Sequence, residues 1–84
     1  MTIPEFFAVF PDGDTQELPG PLRIDQLVDL NGRPLPLPLA TDRIIAYRVA
    51  KIRRQEGRGE EASYHYLELV PVTDLAAYCR RNGY

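Results

Sequence analysis

The chain has 84 residues, 44% hydrophobic and 26% charged, a balance that predicts one folded domain over residues 1–84 and excludes wholesale disorder. Its longest apolar stretches, residues 6–10 and 67–72, are far shorter than the roughly 20 residues a membrane-spanning helix requires, so no membrane association is expected. The net charge of -2 and a pI of about 5.3 lack the basic footprint of a dedicated nucleic-acid binder.

Residues 1–4 contain neither a basic stretch nor an apolar run of signal-peptide length, which predicts cytoplasmic residence. Residues 5–10 are aromatic and apolar enough for a buried strand. In the Phe10-Pro11-Asp12-Gly13 turn that follows, proline suits the second position and glycine accepts positive φ. Residues 14–18 can then return antiparallel until Pro19-Gly20-Pro21 stops them.

In residues 23–30, Ile24, Leu27 and Val28 fall at i, i+3 and i+4, which predicts a short helix stopped by Asn31-Gly32. The competing reading is a second hairpin, because Asn-Gly is also a preferred type I′ turn and could join residues 28–30 to 34–39. Residues 34–39 alternate proline and leucine. In an extended strand the missing donors would all fall on one side and the leucine side chains on one face, which predicts a protected edge strand. A polyproline II docking segment is the alternative, although the PxxP spacing is missing.

Residues 43–54 and 62–70 are rich in β-branched and aromatic residues and predict a long hairpin around a polar loop at 55–61. A register placing Val49 opposite Leu67 and Tyr47 opposite Leu69 makes one face apolar. The other face then carries Ala46, Arg48, Ala50, Ile52, Tyr64, Tyr66, Glu68 and Val70, with Arg48 opposite Glu68. A bulge near the loop would shift the outer pairs. Thr73-Asp74, then Leu75, Tyr78 and Cys79, then Arg80-Arg81 and Asn82-Gly83, read as a capped C-terminal helix.

The expected architecture is α+β. About five mostly antiparallel strands form a bent sheet or small open barrel, with one or two short helices including the C-terminal one.

Little chemistry is encoded. The single histidine, His65, shares a strand side with Ser63 but has no identifiable orienting carboxylate, and reads as a surface or partly buried structural residue. One histidine and one cysteine fall short of a zinc site, and Cys79 reads as a small apolar helix residue. Asp12-Gly13-Asp14 is turn chemistry, and the glycines around Arg58 lack phosphate-binding spacing. No catalytic residue, metal or cofactor is expected.

The halves of the chain differ in charge. Residues 1–42 hold seven acids and two bases, a balance of -5, and residues 43–84 hold five acids and eight bases, a balance of +3. The one constellation above background is the hairpin, where Arg43, Arg48, Lys51, Arg53, Arg54 and Arg58 accompany Tyr47, Tyr64, His65 and Tyr66. Three readings follow. The chain's own helix or Leu-Pro segment covers that face. Alternatively it binds protein, including a second copy, through Arg48, Tyr64, Tyr66 and Glu68. A third reading has the tyrosines stacking single-stranded nucleic acid while Arg53 and Arg54 neutralise phosphates. The favoured function is a non-enzymatic interaction or regulatory module.

Overall fold

The computed structural model describes residues 3–79. Its first hairpin forms where the turn chemistry puts it. The Gly13 N–H donates to the Phe10 carbonyl and the Phe10 N–H to the Asp14 carbonyl, both at 2.8 Å, with Gly13 at φ +93°. Strand β1 (Ile3–Val9) thereby pairs antiparallel with β2 (Thr15–Leu18), which ends at the Pro19-Gly20-Pro21 cluster.

Residues 23–30 do not form the expected helix. Asp25 takes φ +70° and its N–H donates to the Val49 carbonyl at 2.8 Å. The next two residues form β3 (Leu27–Val28) against Tyr47 and Arg48. Burial on two sides explains the difference. On a helix these two side chains would share a face; on a strand they point apart, and each enters a different core. Val28 packs with Ala8, Phe10, Leu18, Val49 and Leu67, and Leu27 packs with Leu39, Ala46, Val70 and Leu75.

The competing hairpin forms in a shortened version. Gly32 N–H donates to Asp29 O at 3.0 Å, Asp29 N–H donates to Arg33 O at 2.9 Å, and Val28 bridges Pro34. Beyond Pro34 the Leu-Pro segment is not the predicted edge strand. Leu39 is buried, Leu35 half-buried and Leu37 exposed, so the leucines do not share a face. Two of the N–H groups that the prolines leave available go to different elements: Leu35 donates to Leu27 and Leu39 to Tyr78, both at 3.0 Å.

The long hairpin holds the predicted register at its base. Strands β4 (Tyr47–Gly57) and β5 (Glu60–Leu69) place Tyr47 opposite Leu69, Arg48 opposite Glu68 and Val49 opposite Leu67. Its strands reach further toward the tip than expected, leaving only Arg58-Gly59 as the turn, while residues 43–46 lie outside β4. A register shift between Val49 and Lys51 leaves Ala50 as the extra residue, so the bulge lies nearer the base than the loop. Ile52 consequently falls opposite His65, on the face away from Arg48, which corrects its predicted placement.

The five strands lie in the order β2-β1-β5-β4-β3, and β1 runs parallel to β5. The curled sheet is therefore mixed rather than mostly antiparallel. Helix α1 (Val72–Tyr78) follows β5 and buries Leu75. It starts at Pro71 with no side-chain cap, so Thr73-Asp74 is not the cap predicted. Arg80, Arg81, Asn82 and Gly83 lie outside the described residues. The two cores sit on opposite faces of the one sheet, as the alternation of Leu27 and Val28 requires. No described helix is long and apolar enough to cross a membrane.

Candidate interaction surface

Strand alternation, corrected for the bulge at Ala50, puts Arg48, Lys51, Arg53, Tyr64, Tyr66 and Glu68 on the face that carries Leu27. Helix α1 covers one end of this face, and Arg48 belongs to that end. Its Nε meets Glu68 Oε2 at 2.7 Å, while its Nη1 donates to the Tyr78 hydroxyl at 3.3 Å and lies 3.5 Å from Asp74 Oδ2. The Tyr78 hydroxyl and then the Glu68 carboxylate raise the Arg48 pKa above its ordinary value. Arg48 and Glu68 are thus a clasp between sheet and helix, and here the chain's own helix covers the face.

Away from the helix the same face presents a different surface. Phe7 of β1 lies beside Tyr64, which lies opposite Arg53; one row along, Val9 lies beside Tyr66, which lies opposite Lys51. The Phe7 and Tyr64 rings stack with centroids 5.2 Å apart at 18°, and Lys51 Nζ sits 5.3 Å from the Tyr66 ring centroid. All four apolar or aromatic side chains are half-buried. Glu17 of β2 faces Phe7 from the opposite border, and Glu5 precedes Phe7 on the same side. The result is an aromatic stripe with cations along β4 and carboxylates along β1 and β2. A shallow depression of about 270 Å³ opens at its hairpin end, lined by residues including Glu5, Phe7, Ala62 and Tyr64.

Two sequence expectations need correction. Arg53 and Arg54 point to opposite faces, and Arg54 is held by Glu61 and, at 3.2 Å, by Glu56. His65 is no surface residue: it is 1% exposed, with Phe6 packed against it. The Leu22 N–H donates to Nε2 at 3.1 Å, which leaves Nδ1 to donate to the Phe7 carbonyl at 3.0 Å. With both ring nitrogens bonded to backbone, it has no lone pair free to serve Ser63 as a base.

The sequence reading missed Phe7 and Val9. Residues 6–10 are so uniformly apolar that no alternation distinguished the core-facing Phe6 and Ala8 from the outward pair. Among the described residues no three His, Cys, Asp or Glu side chains converge as a metal site, and Cys79 is a free, half-buried thiol.

No curated protein and no solved structure matches the chain. A family model described as "Uncharacterised Treponema protein" matches residues 2–78, and the chain belongs to that family.

Proposed function

We propose that this member of an uncharacterised family is a non-enzymatic interaction module that docks a partner protein on the outer face of β1, β5 and β4. The observation that carries the reading is the stripe of Phe7, Tyr64, Val9 and Tyr66 that α1 leaves bare, bordered by Lys51 and Arg53. Aromatic anchors beside cations have the composition of an interface core. The complementary partner offers apolar contact to the stripe and carboxylates to β4. Arg48 and Glu68, already engaged with the helix, lie at the rim of this surface.

Tyr66→Ala and the Lys51→Glu/Arg53→Glu pair should each reduce partner capture at least tenfold, with melting temperatures close to the parent's. Capture that survives both changes would rule the reading out. A large loss of stability in Tyr66→Ala would make that residue part of the core instead.

A second reading rests on the same side chains: Tyr64 and Tyr66 could stack bases while Lys51 and Arg53 neutralise phosphates. Glu5 and Glu17 on the same face weigh against it. A single-stranded oligonucleotide that binds at low salt, weakens steeply with added salt, and is lost in Lys51→Ala/Arg53→Ala would favour this reading over the first.

A further inference from the structure

Among the described residues, β3 and the loop before it pair with β4 only as far as Val49. From Lys51 to Gly57 no described residue pairs with the outer edge of β4. Gly57 faces Glu60 across a two-residue turn, so alternation turns the backbone N–H and C=O groups of Ile52, Arg54 and Glu56 outward. An open edge of this length is a template for another strand.

We propose that the occupant is a second copy of this chain, joined β4 to β4 in antiparallel fashion about a two-fold axis through Gln55. The charge pattern selects both the partner and the register. In a continuous antiparallel sheet, facing residues must lie on the same side, so the axis has to pass through a residue position. Three positions pair five or more residues of each edge. An axis at Arg53 or at Arg54 sets that arginine against its own copy. An axis at Gln55 sets each Arg54 against the partner's Glu56, twice, and leaves no like charges opposed. Arg54-Gln55-Glu56 is positive, neutral, negative, and reads as its own complement when reversed.

The geometry of the tip fits this register. Arg53 comes opposite the partner's Gly57, which has no side chain and whose neighbour across the hairpin is Glu60. Within one chain Arg54 already lies 3.2 Å from Glu56 on the shared face, so both groups are positioned for exchange between copies. The paired stretch ends before the Ala50 bulge, where the loop before β3 begins to occupy the edge. Arg53 and the depression lined in part by Gln55, Glu56 and Gly57 are shared with the docking face, but Phe7, Val9, Tyr64 and Tyr66 lie off this edge, and neither proposal depends on the other.

Sedimentation of the full chain over a concentration series should give a dimer. Arg54→Glu and Glu56→Arg should each weaken self-association at least tenfold, because each sets like charges across the axis. Mixing the two variants should restore a heterodimer, which a misfolded variant could not do. In a Cys79→Ser background, Gln55→Cys should oxidise to a disulfide-linked dimer faster than Arg58→Cys. A chain that stays monomeric to millimolar concentration, or variants that dimerise like the parent and gain nothing on mixing, would overturn the proposal. Tyr66→Ala should leave the dimer intact, which separates failure of this interface from failure of the docking face.

Discussion

His65 links two segments far from it in sequence, because one ring nitrogen accepts from Leu22 and the other donates to Phe7. Replacing it with phenylalanine keeps an aromatic ring of similar bulk but leaves the Leu22 N–H without its acceptor in the core. A buried group orphaned in this way costs about 1–3 kcal/mol. His65→Phe should therefore lower the unfolding free energy by that amount, seen as a lower urea midpoint at an unchanged slope; an unchanged midpoint would mean that water replaces the imidazole. The sequence placed Ser63 and His65 on one strand side and Arg48 opposite Glu68, because a period of two and one register are enough for that. Which side is core depends on what crosses it, and neither Leu22 nor Tyr78 is near these residues in sequence. Sequence alone accordingly overstates the exposure of His65 and the freedom of Arg48.

Turns were more legible than the segments between them. The Phe10-Pro11-Asp12-Gly13 turn forms with Gly13 at φ +93°. A turn also forms before Arg33 with Gly32 at φ +77°, but not as the type I′ Asn-Gly turn expected: Asn31 does not take positive φ, and the Gly32 N–H to Asp29 O bond centres the turn on Leu30-Asn31. The helix expected at residues 23–30 failed for a tertiary reason, with two cores drawing adjacent residues apart. The two glycines also differ in their surroundings. A Cβ at Gly13 would meet nothing within 4 Å, whereas one at Gly32 would sit 3.0 Å from Leu18 Cδ2. Gly13→Ala should cost about 1–2 kcal/mol for the left-handed backbone alone. Gly32→Ala should cost about 1–3 kcal/mol more, because Leu18 is buried in the first core and must shift. At about 4–8 °C per kcal/mol for a domain of this size, a thermal melt separates the two; equal melting temperatures would mean that Leu18 moves aside freely.

The charge division between the halves of the sequence does not survive in the folded molecule. β3, flanked by Asp25 and Asp29, pairs with β4, and within the sheet the cations Arg48, Lys51, Arg53 and Arg54 are confined to β4 while β5 carries Glu60, Glu61 and Glu68. The parallel contact of β1 with β5 creates the aromatic stripe between them, and no turn dipeptide announces a pairing between strands so distant in sequence. The same sheet also separates two cores, one containing Val28 and Val49 and the other Leu27 and Leu75. Because Leu27 and Val28 are bonded neighbours paired to the same stretch of β4, neither core can come apart without straining the strand that serves the other. Leu75→Ala removes a side chain that is 2% exposed, and such truncations cost about 2–5 kcal/mol. That is a large share of the roughly 4–13 kcal/mol available to a chain of this length. If the coupling through β3 holds, the variant unfolds at lower urea in one transition, with near- and far-ultraviolet circular dichroism changing together. A variant whose near-ultraviolet signal moves first would instead have lost the helix side while the core around Val49 persisted, and the two cores would be independent.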